Sequence, residues 1–195
     1  MASRVGKLHK PSLNSATAAH VAKKHRSRWK GSDTRYDHSP FLPLKKLSSR
    51  KKGAEAEHIL SEHMTKAGHT VKKARCSDYD RVVNGLRVEV KSSFLWAGAD
   101  SFRWQQIRAD QAYDYIVFMA FYPDRVEFWA ATSADVKKFL QTQDANGFWQ
   151  HNQHGGKTVD SGTYFIDGLP EQFPWMVPLS EFMKNLPTPP TGQNL

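Results

Sequence analysis

Two acids and a lysine, Asp80, Glu89 and Lys91, lie close together in the middle of the sequence, and their types suit metal-assisted chemistry. Carboxylate oxygens are the ligands that a hard divalent cation such as Mg²⁺ prefers. An ammonium group beside such an ion suits an anionic substrate or an attacking hydroxide. Whether the three side chains meet depends on the elements that carry them.

Asn84-Gly85 stands between two apolar-rich runs and predicts a β-hairpin, because both residues of a tight type I′ turn must adopt positive φ. This two-residue loop fixes a register in which the pairs are Val83 with Leu86, Val82 with Arg87, Arg81 with Val88, and Asp80 with Glu89. Opposed carboxylates repel each other when their Cβ atoms are roughly 5 Å apart. The pair therefore suggests a cation between them, with solvated acids on an open hairpin face as the alternative.

Side-chain alternation along the hairpin separates a charged face from an apolar face. Lys91 falls on the face of Glu89, two residues farther along the strand. The opposite face carries Val83, Leu86, Val88 and Val90, and we expect it to pack on the core.

The first long helix is predicted over residues 53–67, where apolar residues recur at helical spacing and Gly68 supplies a stop. On a helical wheel Glu57 lies at the margin of the apolar stripe, so it can reach the hairpin from a packed helix. Glu55 lies farther from the stripe and should face water. The alternative for Glu57 is an ordinary surface acid.

The remaining elements complete a mixed α/β pattern. Ser101 can cap a helix that runs to about Tyr113, and the apolar run from Tyr115 to Tyr122 predicts a strand buried on both faces. A further strand and a helix that begins near Ser133 follow, whereas residues 146–162 look loop-rich. From Gly53 the order is α, β, β, β, α, β, β, α, which indicates a mixed sheet flanked by helices.

Composition places few limits on the function but several on the setting. The 195 residues suit one domain with appendages. No apolar run approaches the roughly 18 residues of a membrane span, and no secretory signal is visible. A single cysteine, Cys76, excludes an internal disulfide and a cysteine-rich zinc site, so we expect a cytoplasmic location.

The positive charge is concentrated at the N-terminus. The net charge is +9, yet residues 1–52 hold 14 Lys and Arg against two acids, which gives +12 and leaves −3 for the rest. We divide the chain into a basic arm over residues 1–50, a domain over 51–186 and a flexible tail over 187–195. A basic arm on a near-neutral domain favours a nucleic-acid partner, with a solvated tail and organellar or nuclear targeting left open.

The placement of the charged residues resembles the PD-(D/E)XK nuclease superfamily, which has a restriction-endonuclease-like αβββαβ core. The superfamily has an acid on its second strand, Glu-x-Lys on its third, and often a glutamate on its first helix. The corresponding residues here are Asp80, Glu89-Val90-Lys91 and Glu57. Residues 52–57 and 68–71 also resemble the opening of archaeal-type Holliday junction resolvases. The resemblance covers roughly residues 50–130, and one departure is that Tyr79, not Pro, precedes Asp80.

The resemblance implies a Mg²⁺-dependent DNA endonuclease in which Mn²⁺ can substitute for Mg²⁺. Asp80, Glu89 and the backbone carbonyl of Val90 would hold the ion, and Lys91 would orient or help deprotonate the attacking water. Glu57 would help to place a second ion or its waters, and Gln106, on the predicted helix, would support the site. Extra segments around a minimal core favour a restriction enzyme. The alternatives are a structure-specific junction or repair nuclease and a non-catalytic nucleic-acid-binding module.

Other residues are candidates for DNA contact. The loop His151–Lys157 could approach DNA, bind zinc or be a plain surface loop, and Asp78 competes with Asp80 for the metal role. Cleavage of both strands usually needs two active sites, which makes a homodimer plausible. The basic candidates for nucleic-acid binding are Lys23, Lys24, Arg26, Arg28, Lys51, Lys52, Arg103 and Arg108.

Overall fold

The computed structural model describes residues 33–96, 98–142, 149–154 and 157–185. All of them belong to one unit, Ser32–Leu195. Most of the basic arm and the tail beyond residue 185 lie outside the described residues. No helix in the described ranges is long and apolar enough to cross a membrane.

The described residues form helices and strands in the order that follows. The helices are α1 (Leu42–Lys45), α2 (Ser49–Lys66), α3 (Ser133–Leu140) and α4 (Leu179–Lys184), with short 3₁₀ turns at Thr34–Tyr36 and Pro170–Gln172. The strands are β1 (Val71–Lys73), β2 (Arg81–Val83), β3 (Leu86–Phe94), β4 (Phe102–Ile107), β5 (Tyr115–Phe121), β6 (Val126–Thr132), β7 (Trp149–His154), β8 (Lys157–Gly168) and β9 (Val177–Pro178).

Two sheets organise these strands. The larger sheet has the order β1-β2-β3-β5-β6-β9, and the smaller has the order β4-β8-β7. Only the pair of β3 and β5 is parallel among the strand pairs of the described ranges. The mixed α/β class expected from the sequence is confirmed.

The hairpin of β2 and β3 has the predicted register. Arg81 pairs with Val88 and Val83 with Leu86, and the turn residues Asn84 and Gly85 have φ of 51° and 85°. The ladder ends at Arg81, but the Asp80 N–H still donates to the Val88 carbonyl at 2.9 Å. Asp80 therefore stays beside β3, one residue beyond the end of β2.

Helix α2 packs on one face of the larger sheet, as its apolar stripe predicts. Ala56, Leu60 and Met64 are buried, and Gly68 ends the helix region with φ of 89°. The helix begins at Ser49, four residues before the predicted start. The predicted apolar face of the hairpin meets this stripe, since Val83, Val88 and Val90 are buried in the same core and Leu86 packs against it.

Strand β5 is fully buried, as predicted, because it contributes to two cores. Val117 and Met119 point into the core beneath α2, whereas Ile116 and Phe118 point into a second core. The second core contains Phe102 and Trp104 of β4, together with Ile166 of β8. The larger sheet is thus covered by a helix on one face and by the smaller sheet on the other.

The predicted helix from Ser101 to about Tyr113 is wrong, because this segment contains β4. Phe102 and Trp104 are buried at a spacing of two residues, as in a half-buried strand. The Ser101 hydroxyl donates to Asp167 Oδ1 at 3.0 Å and caps no helix. Gln106 has φ of 57° and lies in a register shift against β8, which breaks the alternation and hides the strand period in the sequence.

The loop-rich reading of residues 146–162 is also wrong for the part that the structure describes. Trp149–His154 and the first half of β8 form an antiparallel ribbon, with a register shift after Gln150. Strand β8 continues through Thr163 to Gly168. Glycine and polar residues in this segment gave no alternating apolar pattern from which a strand could be predicted.

Candidate metal centre and pocket

Asp80, Glu89 and Lys91 lie together at the end of the hairpin. The Val90 N–H donates to Asp80 Oδ2 at 2.8 Å, which fixes this carboxylate against β3. Lys91 Nζ forms an ion pair with Glu89 Oε1 at 2.6 Å. Glu89 is only 5% exposed, so the pair is largely removed from water.

The electrostatics around Glu89 favour neutralisation of its charge. Burial raises the pKa of Glu89 to about 7, Lys91 opposes that shift, and the neighbouring Asp80 carboxylate adds to it. Removal of the Glu89 carboxylate from water is the main reason that its pKa stays high despite the ion pair with Lys91. A bound cation would supply the positive charge that this arrangement lacks.

The Val90 carbonyl is placed to join the two carboxylates. In an extended strand, the N–H and C=O of one residue point to the same side. The Val90 N–H points at Asp80, on the side where β2 has already ended. The carbonyl is directed to that side too, away from the pairing with β5.

This donor set fits a hard divalent cation. Two carboxylates and a backbone carbonyl are oxygen ligands only, and Mg²⁺ is usually bound by one or two carboxylates while it keeps several waters. The described ranges contain no group of three or more His, Cys, Asp and Glu that could hold a metal. The protein would thus supply a partial coordination shell, which leaves positions for water and substrate oxygen.

Glu57 reaches the hairpin, as the helical wheel predicts, but its contact there is a basic residue. Its Oε2 accepts from Arg81 Nη1 at 2.7 Å, and Arg81 also donates to the Asp80 carbonyl at 2.8 Å. Arg81 Nε donates to the Ser61 hydroxyl at 2.8 Å, which secures the guanidinium between α2 and β2. Burial, and next the Asp80 carboxylate, raise the pKa of Glu57. Glu55 is exposed, as expected.

A polar pocket of about 380 Å³ adjoins Glu89 and Lys91 on the face of β3 that looks toward the smaller sheet. Gln106, from β4, lines it, so this residue lies beside the predicted site although it stands on a strand instead of a helix. Arg108 adds a second cationic side chain to the pocket. The lining residues are Ser77, Glu89, Lys91, Gln106, Arg108, Gln111 and Thr163.

The other described basic candidates occupy different positions. The Arg103 guanidinium lies 4.9 Å from the Trp96 ring and 4.8 Å from the Phe165 ring, and it is ion-paired with Asp167. Lys51 and Lys52 lie near the start of α2, where Lys52 Nζ is 5.8 Å from the Phe94 ring. Lys23, Lys24, Arg26 and Arg28 lie outside the described residues.

The structure also gives the positions of Ser93 and Asp78. The Ser93 hydroxyl donates to the Phe94 carbonyl and accepts from the Arg103 N–H, so it has a structural partner on each side. Asp78 is exposed and precedes the end of the ladder, so it is not aligned with Lys91 through strand pairing. The side chains of the His151–Lys157 loop lie outside the described residues.

Sequence reasoning missed three of the pocket residues. Ser77 and Gln111 come from connecting segments, and Thr163 comes from β8, a strand that joins the site only through pairing with β4. The one local signal was the density of polar side chains around Gln111, between two apolar strands. That signal does not indicate which of these side chains is buried.

Comparison with known proteins adds little to these observations. No family model matches this chain, and no curated protein matches it. Among solved structures, the chain is similar to that of a bacterial homing endonuclease, I-Ssp6803I, with 16% sequence identity and a TM-score of 0.45. The match covers 70% of this chain and 92% of that chain. At this identity and TM-score, the likeness assigns neither a function nor a family to the chain.

Proposed function

We propose that this protein is a Mg²⁺-dependent DNA endonuclease of the PD-(D/E)XK type, in which Mn²⁺ can replace Mg²⁺. The observation that carries the proposal is the cluster of two adjacent carboxylates, Asp80 and Glu89, with the Lys91 ammonium 2.6 Å from Glu89. The cluster borders a pocket that also presents Arg108. Carboxylates beside cationic groups suit a divalent ion and an anionic substrate at one place.

Each residue of the cluster has a chemical role in this proposal. Asp80, Glu89 and the Val90 carbonyl would hold the ion, which when bound polarises a phosphate and lowers the pKa of a bound water. Lys91 would offset the charge that develops on the phosphate during attack. Arg108 would draw the phosphate into the pocket. Hydrolysis would leave a 5′-phosphate and a 3′-hydroxyl.

The shape of the pocket supports a phosphodiester as the substrate. Its walls come from β3, from β4 and from β8, so both sheets would enclose the scissile phosphate. Gln106 on the rim can donate to a phosphate oxygen, which is the supporting role proposed for it. We propose further that the basic arm binds the DNA backbone and that two copies of the chain act on the two strands, as in a restriction enzyme.

Cleavage of supercoiled plasmid with Mg²⁺ tests the proposal. Nicked or linear products should appear with Mg²⁺ or Mn²⁺ and disappear in EDTA, whereas Ca²⁺ should support binding with little turnover. Sequencing of the product ends then separates a fixed recognition site from scattered cuts, and a cruciform plasmid tests junction cleavage. Unchanged cleavage in EDTA would contradict the mechanism, and binding without any cleavage would indicate a non-catalytic module.

A further inference from the structure

Two buried side-chain atoms in the described ranges have no hydrogen-bond partner: the amide oxygen of Gln111 and the hydroxyl of Tyr113. Gln111 is 9% exposed and Tyr113 is 3% exposed. Leaving a buried polar atom unsatisfied costs about 1–3 kcal/mol. Of the two residues only Gln111 lines the pocket of Glu89 and Lys91, so a molecule in this pocket can bind its oxygen.

The orientation of the Gln111 amide is fixed by its other end. Its Nε2 donates to the Ser77 carbonyl at 2.9 Å, and an exchanged nitrogen and oxygen would set two acceptors against each other. The atom that remains for the pocket is therefore the oxygen. An amide oxygen accepts hydrogen bonds or ligates a cation, so it cannot bind an unprotonated phosphate oxygen. With the ion held by Asp80 and Glu89, the partner left for this oxygen is a hydrogen-bond donor.

Water is the donor that the pocket chemistry supplies. The pocket of about 380 Å³ has room for a phosphate and several waters, because one water occupies roughly 30 Å³ in the liquid. Glu89 is an acceptor, Lys91 is paired with Glu89 in the resting protein, and Arg108 would bind the phosphate in the proposed complex. A water near Glu89 and Lys91 can donate one hydrogen to Gln111 and still direct its oxygen toward the phosphate.

We propose that Gln111 positions the attacking water, an inference that rests on the proposed nuclease function. The water oxygen forms a bond to phosphorus while the bond from phosphorus to O3′ breaks. One proton of the water passes to solvent, and the other stays on the attacking oxygen in its hydrogen bond to Gln111 Oε1. The departing O3′ takes a proton from solvent, which gives the 3′-hydroxyl and the 5′-phosphate.

A purely structural Gln111 and a water-positioning Gln111 make different predictions. Gln111→Met keeps the length of the side chain but removes both the acceptor in the pocket and the donor to the Ser77 carbonyl. Single-turnover cleavage of plasmid in Mg²⁺ should fall at least about tenfold, the scale of one lost oriented hydrogen bond. Plasmid affinity in Ca²⁺ should stay within twofold, and the melting temperature in EDTA should stay within a few degrees. The matched control, Gln105→Met, makes the same change at an exposed position of β4 and should leave all three readouts unchanged.

Gln111→Glu guards against a variant that merely misfolds. The carboxylate restores an acceptor but, like Met, cannot donate to the Ser77 carbonyl when it is ionised. Both variants lack the donor, so faster cleavage by Gln111→Glu than by Gln111→Met isolates the contribution of the acceptor. Wild-type cleavage by Gln111→Met, or parallel losses in rate and affinity, would overturn the water-positioning role while leaving the nuclease proposal intact. A wild-type protein that cleaves no plasmid would overturn both.

Discussion

Two buried acids in this protein, Asp33 and Glu89, have different numbers of cationic partners. Near the start of the described chain, the Asp33 carboxylate, 4% exposed, accepts from Arg35 at 2.9 Å and from Lys45 at 2.6 Å. At the end of the hairpin, Glu89 pairs with Lys91 at 2.6 Å, and the Asp80 carboxylate, held by the Val90 N–H, lies near Glu89. Buried Asp33 thus has two cationic partners, of which Arg35 also pairs with exposed Asp100 at 2.9 Å, whereas Glu89 has one cationic partner and a second acid beside it.

The pKa values of Asp33 and Glu89 shift in opposite directions. Burial would raise the pKa of Asp33, but its hydrogen bonds to Arg35 and Lys45 outweigh burial and hold the pKa below the ordinary value. Burial raises the pKa of Glu89 to about 7, and one lysine does not reverse the shift. Short ion-pair distances therefore say little about the role of a buried acid. The balance of charges distinguishes a cluster that completes the fold from one that needs an added cation.

The largest expected effect of this difference is on cleavage. Asp80→Asn, Glu89→Gln and Lys91→Ala should each lower single-turnover cleavage of plasmid by about 100-fold or more, since each removes a group that would act on charge at the phosphate. Asp33→Asn should cleave at nearly the wild-type rate at a temperature where it is folded. Comparable losses in the Asp33 variant would show that the two clusters do not differ in function, and near wild-type rates in all four variants would place catalysis elsewhere.

The second effect is on the free energy of unfolding, where the substitution of Asp33 should have a larger effect than that of Glu89. Asp33→Asn leaves Arg35 and Lys45 without their buried partner, so we expect the free energy of unfolding in urea to fall by about 2 kcal/mol. Glu89→Gln in EDTA relieves the contact of two acids and should leave stability unchanged or higher. A strongly destabilised Glu89→Gln protein would mean that the Glu89–Lys91 ion pair is a structural element like the Asp33 cluster.

How much of this could be predicted from sequence depended on how local the determinants are. The Asn84-Gly85 turn alone fixed the register that brings Asp80 beside Glu89, because a two-residue loop allows only one pairing. The partner of Glu57 could also have been predicted, since the same register places Arg81 on the face of Val83, toward α2. Strand β5 was recognisable because burial on both faces requires an unbroken apolar run.

The walls of the pocket were beyond the sequence because they depend on distant pairing. β4 becomes a strand by pairing with β8, and Arg103 of β4 is matched with Asp167 more than 60 positions later. Without that partner strand, the sequence after Ser101 is as compatible with a capped helix as with a strand. The positive φ of Gln106 and the burial of Gln111 follow from the same packing, so neither leaves a local pattern.

A smaller effect concerns pH and stability in EDTA. A buried acid whose pKa is raised from 4.5 to about 7 binds its proton more tightly in the folded protein, so Glu89 should favour unfolding above pH 7 and cease to do so as pH falls toward 4.5. The stability of the wild-type protein relative to Glu89→Gln should therefore rise as pH falls through this window. Asp33 has the opposite sign, because its stabilisation is present above about pH 3.8 and is lost as pH falls through its lower folded pKa. Urea titrations of both variants and wild type from pH 8 to pH 3 check the two slopes, and equal slopes would contradict the charge-balance argument.

The smallest effect is expected at Glu57. This acid pairs with one cation, Arg81, so its charge balance is intermediate between those of Asp33 and Glu89. Glu57 pairs with Arg81 at 2.7 Å, and the two side chains are 25% and 12% exposed, so Glu57→Gln should cost about 1 kcal/mol of stability, as for a typical hydrogen bond. Its cleavage rate should fall only a few-fold, through a less firmly held Arg81 and thus a less firmly held Asp80 backbone. Glu55→Gln, on the exposed side of the same helix, is the matched control and should change neither quantity. Single-turnover rates and urea midpoints for the pair decide the matter: a loss at Glu57 as large as that of Asp80→Asn would make Glu57 a member of the metal centre, and its pairing with Arg81 would then be only the resting arrangement.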